Sequence, residues 1–362
     1  KFLRRLDALP RPDAVLVTSM MTYWYPGVFE AIRLIRQRLE GVPVILGGVY
    51  ATLCHGHARL FSGADMVVAG ESEVRVLGIM QSLWGGMPDF IPDDRNLDSF
   101  PYPSYDLMEN LPSVCIQTSR GCPYRCTYCA SSYLSPARRL REPARVVDEV
   151  VHWHSRYNVH DFAFIDDALL VGRTRALEML GALARRSLDV RFHCPNAVHA
   201  REIDEEVACL MRQAGVVTIR LGLETAKPAA QIETGGKVTN DEFLRAVDSL
   251  HRAGYTSDEI GVYVLCGLPG QDLEEVMRTV EFVQGSGARP YLAEYSPVPQ
   301  TALWESAVRE SPFPLDEEPL FHNNTLFPCA NEWFTTGVFE KIRRTARSSV
   351  GPGVSGTWSR WP

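Results

Sequence analysis

Thr118-Ser-Arg-Gly-Cys122-Pro-Tyr-Arg-Cys126-Thr-Tyr-Cys129 sets three thiols at C-x3-C-x2-C spacing on one Gly-, Pro- and Arg-containing loop, directly after a short apolar run. Three thiolates on so tight a loop can hold three irons of a cubic 4Fe-4S cluster and leave the fourth iron without a protein ligand. An open metal position makes a site chemical rather than merely structural. No fourth Cys or His follows at finger or ribbon spacing, and His152 and His154 lie on a predicted helix well downstream. Zinc is therefore disfavoured.

Outward from the loop, strand-like runs at 114–118, 162–165, 190–193, 217–223, 261–266 and 291–295 alternate with helical patterns at about 143–157, 173–187, 203–214, 240–253 and 271–286. Thr239-Asn240 before Asp241-Glu242 marks a helix start, and Gly215 and Gly254 mark helix stops. Six strand–helix units predict a partial (β/α)6 TIM-like barrel over residues 113–310, open where a full barrel would place two more. Directly after its strands come the cysteine loop, Asp166-Asp167, Cys194-Pro195-Asn196, Glu224-Thr225, Gly267-Leu-Pro-Gly270 and Ser296-Pro297. Taken singly, Asp166-Asp167 reads as a helix cap and Glu224 as an ion-pair partner. Their joint placement at the carboxyl mouth, where parallel barrels put their active sites, points to chemistry.

Upstream, residues 14–18, 42–46 and 65–69 read as short parallel strands separated by helical stretches at 27–40 and about 55–61, with a last helix near 73–84. The expectation is α/β: an N-terminal doubly wound parallel sheet over residues 1–84, ahead of the barrel. Ser19, Gly47-Gly48 and Gly70-Glu71 each follow a strand, on the edge where open sheets bind ligands. Paired glycines read equally as a plain strand-to-helix turn. Pro- and Gly-rich residues 85–112 read as a linker, with Tyr102, Tyr105 and Leu107 set against a domain face. Residues 311–362 form an irregular C-terminal segment with a helical pattern near 336–348 and a Gly/Ser/Trp tail.

The cysteine loop, with Tyr128 just before its last Cys, resembles the signature of radical S-adenosylmethionine enzymes. Gly222-Leu-Glu224-Thr, Gly267-Leu-Pro-Gly270, Phe164-Ile-Asp-Asp167 and Tyr295-Ser-Pro-Val-Pro299 are similar to strand-end motifs of that superfamily, although Gln300 stands where a Gly is expected. Thr18-Ser19-Met20-Met21 with Leu46-Gly47-Gly48 resembles the Ser-x-Leu and Gly-Gly elements of cobalamin-binding Rossmann domains, with Met for Leu. Gly70-Glu71-Ser72-Glu73 is similar to a turn of the same domain fused to radical enzymes. The Asp-x-His-x-x-Gly element of other cobalamin proteins is absent. The chain opens at Lys1 without a Met, and a preceding segment is expected.

The resemblance implies three cofactors: a 4Fe-4S cluster on Cys122, Cys126 and Cys129, S-adenosylmethionine on the open iron, and cobalamin. It implies cleavage of the sulfonium to a 5′-deoxyadenosyl radical. Tyr128, Gly267 and Gly270 would sit by the adenine, Glu224 would take the ribose hydroxyls, and Asp166 would accept from the methionine ammonium. Lys237 would pair with the methionine carboxylate, against the simpler reading of a solvated lysine. Ser19, Gly47, Gly48, Gly70 and Glu71 would meet the corrin, and Tyr23, Trp24 and Tyr25 would cover it or join the core. The implied reaction is methylation of an unactivated carbon. Rearrangement, cyclisation or oxidation without methyl transfer is the alternative, and a non-catalytic cofactor-binding or electron-transfer protein is the reading after that.

Composition narrows the rest. Thirty-seven basic against 44 acidic residues give a net charge of −7, so no global basic field points to nucleic acid. No apolar run is long enough to span a membrane. Nine cysteines, an odd number, argue against a disulfide scaffold and for a reducing cytoplasm. The expected partners are a small-molecule or natural-product-like substrate and an electron donor such as flavodoxin or ferredoxin. His193, Asn196, Tyr263, Glu294 and the His322-Asn323-Asn324 stretch are candidate specificity residues.

Overall fold

The computed structural model describes residues 2–86, 88–329 and 336–348. Its N-terminal part runs α1 (Phe2–Ala8), β1 (Val15–Ser19), α2 (Tyr25–Arg38), β2 (Val44–Gly47), α3 (Gly48–Leu53), α4 (His55–Phe61), β3 (Met66–Val67) and α5 (Glu73–Trp84). The three strands pair in parallel in the order β1-β2-β3. Val44, Ile45 and Leu46 of the middle strand are fully buried, as an unbroken apolar run with both faces covered requires. Pro26 opens α2, where its missing donor costs nothing, and Val28, Ile32 and Ile35 form the buried stripe. The short helix expected near 55–61 is α4, and a second short helix, α3, precedes it across Cys54.

Past the linker, β4 (Ser113–Ile116) leads into an antiparallel clip of β5 (Ser119–Arg120) and β6 (Arg139–Leu140) that closes the cysteine loop, with the one-turn α6 (Ser131–Leu134) inside it. The repeat then reads α7 (Pro143–Tyr157), β7 (Asp161–Phe164), α8 (Arg173–Arg186), β8 (Arg191–Val198), α9 (Glu205–Gln213), β9 (Val216–Glu224), α10 (Pro228–Glu233), α11 (Asn240–Arg252), β10 (Ile260–Cys266), α12 (Leu273–Gly285) and β11 (Arg289–Glu294). Six parallel strands in the order β11-β10-β9-β8-β7-β4 form the partial barrel. Thr239 starts α11 through a reciprocal capping box with Glu242. The core between strands and helices is one continuous cluster that includes Trp153, Phe162, Phe164, Phe192 and Phe243.

Three details differ from the sequence expectation. Cys194-Pro195-Asn196 does not follow β8 but lies inside it, because the strand tolerates the proline at a shift of register between Cys194 and Val198. Tyr102 and Tyr105 pack on the barrel core, but Leu107 is 82% exposed. A helix that the sequence pattern did not announce, α13 (Trp304–Glu310), follows the last strand, while α14 (Thr336–Ser348) stands where the helical pattern near 336–348 placed it and packs on β11. The Gly/Ser/Trp tail lies outside the described residues. No helix among the described residues is long and apolar enough to cross a membrane.

The two sheets are joined. Ala130 and Leu134, just after the last cysteine, pack in the N-terminal core. Glu71 pairs with Arg139 and accepts from Ser135 (2.5 Å), and Arg120 reaches Glu73 (2.7 Å). The carboxyl edge of the first sheet therefore abuts the cysteine loop of the second.

Candidate active site

The backbone of the loop is clamped before any donor is considered. Buried Asp166 accepts from the Thr118 N–H (3.0 Å), the Thr118 hydroxyl (2.8 Å) and the Ser119 hydroxyl (2.5 Å). Burial pushes its pKa up, and these same hydrogen bonds oppose the shift. On the far side, the Thr127 N–H donates to the Thr234 carbonyl. Gly235, at φ +118°, lies so close that a Cβ there would meet Cys126 Cα at 2.9 Å. Gly121 is equally confined, with a Cβ falling 3.0 Å from the Ser135 carbonyl.

So held, Cys122, Cys126 and Cys129 line one cavity of ≈ 360 Å³ at the barrel mouth. Burial raises the pKa of the Cys122 and Cys126 thiols, while Lys237 pulls Cys126 back down. Three sulfur donors around one cavity, on a backbone two glycines allow to close, fit the donor set of a cluster with one open iron. Loading it would release their protons.

Glu224 ends β9 at φ +68°, a left-handed conformation that a side chain other than Gly adopts only under constraint. Its carboxylate makes an ion pair with Lys237, the two side chains 10% and 12% exposed. Lys237 is thus not a solvated lysine. Burial works against its charge, but Glu224 and Cys126 outweigh that and raise its pKa. The pair fits because residue 222 has no side chain: a Cβ there would lie 2.6 Å from Lys237 Nζ. Lys237 also stands 5.8 Å over the ring of Tyr128, whose buried hydroxyl interacts with the Cys126 thiol.

Not every expected residue reaches the cavity. Asp166 is committed to the loop, so its assignment to the methionine ammonium is withdrawn, and Asp167 lines the cavity instead. Gly267 and Gly270 take positive φ in a turn outside the cavity lining, where the Gly267 N–H donates to Gln271 Oε1 (2.8 Å). Asn196 and Tyr263 line the cavity. His193 lies deeper, bonded to Asp161 (3.1 Å) and Thr218 (3.0 Å), and Glu294 is paired with Arg343 (2.6 Å). His322 is a buried bridge, from the Thr22 hydroxyl (3.0 Å) to the Leu315 carbonyl (2.8 Å), rather than a lid.

His199 is the residue sequence reasoning missed. It follows the true end of β8 and lines the cavity with Nε2 3.9 Å from Cys122 Sγ. Its ring stacks on Tyr124 at 4.6 Å, and its Nδ1 is buried without a hydrogen-bond partner among the described residues. Burial, with Lys237 and Arg201 nearby, lowers its pKa to about 3.

At the N-terminal edge, Gly48 at φ +88° is the tightest point: a Cβ would meet Thr18 Oγ1 at 2.3 Å and the Ser19 carbonyl at 2.8 Å. The Ser19 hydroxyl donates to the Met21 carbonyl, and the Gly70 N–H donates to Thr52 Oγ1. Glu71 faces the barrel, not the edge, because Arg139 and Ser135 claim its carboxylate. Tyr25 joins an aromatic cluster with Phe29 and Tyr50, whereas Trp24 stays exposed. The bare backbone at Gly47-Gly48 fits close approach by a flat ligand.

Residues 116–283 match the model of the Radical SAM superfamily, and residues 1–79 match that of the B12 binding domain. An uncharacterized methyltransferase of Pyrococcus horikoshii is 26% identical over 85% of this chain and 71% of its own length. The hopanoid C-2 methylase of Rhodopseudomonas palustris is 27% identical over 79% of this chain and 58% of its own. An anaerobic magnesium-protoporphyrin IX monomethyl ester cyclase of Synechocystis is 25% identical over 68% of this chain and 56% of its own. The chain thus spans little more than half the length of two of these three relatives. In fold it is similar to TsrM of Kitasatospora setae, a radical S-adenosylmethionine methyltransferase solved with tryptophan and a S-adenosylmethionine analogue. That match has a TM-score of 0.73 at 18% identity, over 97% of this chain and 80% of that one.

Proposed function

Because the chain belongs to the radical S-adenosylmethionine superfamily and carries a B12 binding domain ahead of its barrel, we propose that it is a cobalamin-dependent methyltransferase acting on an unactivated carbon. The observation that carries the proposal is the joint between the two sheets. Glu71, beside the ligand edge of the first, is bound to Arg139 and Ser135 of the clip that closes the cysteine loop. A cofactor on that edge and a cluster on that loop would face one substrate.

When bound, the cluster would supply the electron that cleaves S-adenosylmethionine, and the corrin would carry the methyl group. The chain's own residues divide the remaining work. Cys122, Cys126 and Cys129 would hold iron, and Asp166 fixes the loop that presents them. Glu224 and Lys237 form a neutral, buried pair that can open to offer a carboxylate to ribose hydroxyls and an ammonium to a carboxylate. Tyr128 lies beside them with its buried hydroxyl at Cys126. A small-molecule substrate, a low-potential donor such as flavodoxin or ferredoxin, and a cytoplasmic setting belong to the same proposal.

The test is anaerobic reconstitution with iron, sulfide and hydroxocobalamin, then incubation with methyl-labelled S-adenosylmethionine and a reductant. The expected result is a cobalamin absorption spectrum, label on the corrin and formation of 5′-deoxyadenosine. Cleavage without corrin uptake or label would move the chain to the rearrangement, cyclisation or oxidation reading. No cleavage at all would leave a binding or electron-transfer protein.

A further inference from the structure

Strand β9 carries two rows of side chains. Ile219, Leu221 and Leu223 are buried in the core against the helices. By strand alternation, Thr218, Arg220, Gly222 and Glu224 face the lumen. Glu224 is already in the cavity under the cysteine loop. Arg220, one layer below Gly222, has no part in the chemistry described so far.

Arg220 is 7% exposed, yet no carboxylate among the described residues stands within ion-pair distance of it. Its one hydrogen bond there runs from Nη1 to the carbonyl of its own neighbour, Ile219 (3.0 Å). The guanidinium lies 4.2 Å over the Tyr291 ring. Other arginines of the barrel are treated differently. Arg141 is held by Asp98 and Glu149, and Arg289, which shares the Tyr291 ring at 5.4 Å, reaches Asp258 at 3.6 Å.

The barrel also makes room for it. Gly261 lies opposite Arg220 in the ladder. A Cβ at residue 261 would stand 2.7 Å from Arg220 Cδ and Nη1 and 2.8 Å from the Tyr291 ring. The stack exists only because that lumen position is bare. Above it, Tyr263 lines the cavity and donates to the Pro195 carbonyl (2.8 Å). Burial raises the pKa of that phenol and Arg220 pulls it down, which places the cation within electrostatic reach of a cavity-lining group.

A buried cation without a counter-ion costs stability, so folding alone gives no reason to keep one. A guanidinium stacked on an aromatic face offers its remaining N–H groups as a planar fork, matched to two oxygens of a carboxylate or phosphoryl group. We propose that Arg220 is the specificity-determining anchor for an anionic oxygen group, carboxylate or phosphoryl, on the substrate. The reacting part of that substrate then occupies the cavity by Glu224. The inference rests on the methyltransferase reading of this mouth and narrows its substrates to small molecules that carry such an anion.

The test is equilibrium binding to the anaerobically reconstituted full chain, with no turnover required. Benzoate, phenylphosphonate and uncharged benzamide are titrated into the wild type, Arg220→Met and Arg220→Lys. The wild type should bind at least one anion and discriminate against benzamide, and the preferred anion separates carboxylate from phosphoryl. Arg220→Met should lose at least about tenfold in anion affinity while melting no lower than the wild type, since it leaves no carboxylate unpaired. Arg220→Lys should keep part of the affinity. Equal binding of benzamide, no binding of either anion by the wild type, or full anion affinity in Arg220→Met overturns the proposal. If Arg220→Met does not fold, selective anion binding that weakens severalfold in Arg220→Lys supports the anchor, and an unchanged affinity there overturns it. Methyl transfer is not read here, so failure of the anchor and failure of the methyltransferase reading remain distinct results.

Discussion

At the barrel mouth, three thiols, the Glu224–Lys237 pair and His199 line one cavity. At the carboxyl edge of the N-terminal sheet, by contrast, the Ser19 hydroxyl, the Gly70 N–H and the Glu71 carboxylate are all bonded within the protein. Both regions place small and polar residues after parallel strands, so pattern alone treats them alike. They differ in what is left to give. The mouth offers side-chain donors that a ligand can rearrange, whereas the edge offers the shape of a backbone stripped of side chains at Gly47 and Gly48. Damage to the mouth should therefore be chemical, and damage to the edge steric.

The largest expected effect is at the loop. Cys126→Ala should abolish the cluster absorption and all 5′-deoxyadenosine formation after reconstitution, while cobalamin uptake continues at the wild-type stoichiometry. If corrin uptake disappears with the cluster, the two regions are not the separable sites described here.

Next is the buried pair. Lys237→Met strands the Glu224 carboxylate in a site where both side chains are about a tenth exposed, and breaking a buried pair this way costs about 3–5 kcal/mol. Urea unfolding should show that loss, and Lys237→Met with Glu224→Gln should recover most of it. A single variant as stable as the wild type would mean that Glu224 is hydrated, and that the mouth is no more enclosed than the edge.

How far the sequence announced these sites follows from the range of the forces involved. Helices α5 and α7 stand where the sequence pattern put them, near 73–84 and about 143–157, because helical periodicity is local. The edge logic brought the three cysteines and Glu224 together, since strand ends fix which residues share a mouth. His199 was hidden by Pro195, which reads as a strand breaker. Had β8 been carried to Val198, His199 would have appeared as the next edge residue. Lys237 read as solvated because its burial depends on the bare Gly222 on another element. Asp166 read as a ligand group because nothing local shows that Thr118 and Ser119, 48 and 47 residues earlier, use up its carboxylate.

At the edge, Gly48→Ala sets a methyl group against Thr18 Oγ1 and the Ser19 carbonyl at a positive φ. Strain of this kind costs on the order of 1–3 kcal/mol. The expected outcome mirrors that of Cys126→Ala: cobalamin uptake falls steeply while iron content and S-adenosylmethionine cleavage stay near wild type. An unchanged corrin affinity would show that the ligand does not approach the Gly47-Gly48 backbone.

The smallest effect concerns the strap that joins the regions. His322 donates from Nε2 to the Leu315 carbonyl, and its Nδ1 lies 3.0 Å from the Thr22 hydroxyl, which can donate to the neutral ring. Burial lowers its pKa from 6.5 and His57 adds to that, while the Leu315 carbonyl and Glu318 oppose it. With the folded value below the unfolded one, the unfolded chain takes up the proton first as pH falls. The contribution of His322 is therefore complete above about pH 6.5 and declines below it. Thr22 lies just past β1, so acid should loosen the edge before the mouth. Between pH 7.5 and 5.5, hydrogen exchange should quicken across residues 22–61 while β9 and β10 stay protected. His322→Gln should flatten the acid dependence of the urea midpoint relative to the wild type. Equal acid sensitivity in the two proteins would assign the loosening to other groups and leave the strap as a packing contact.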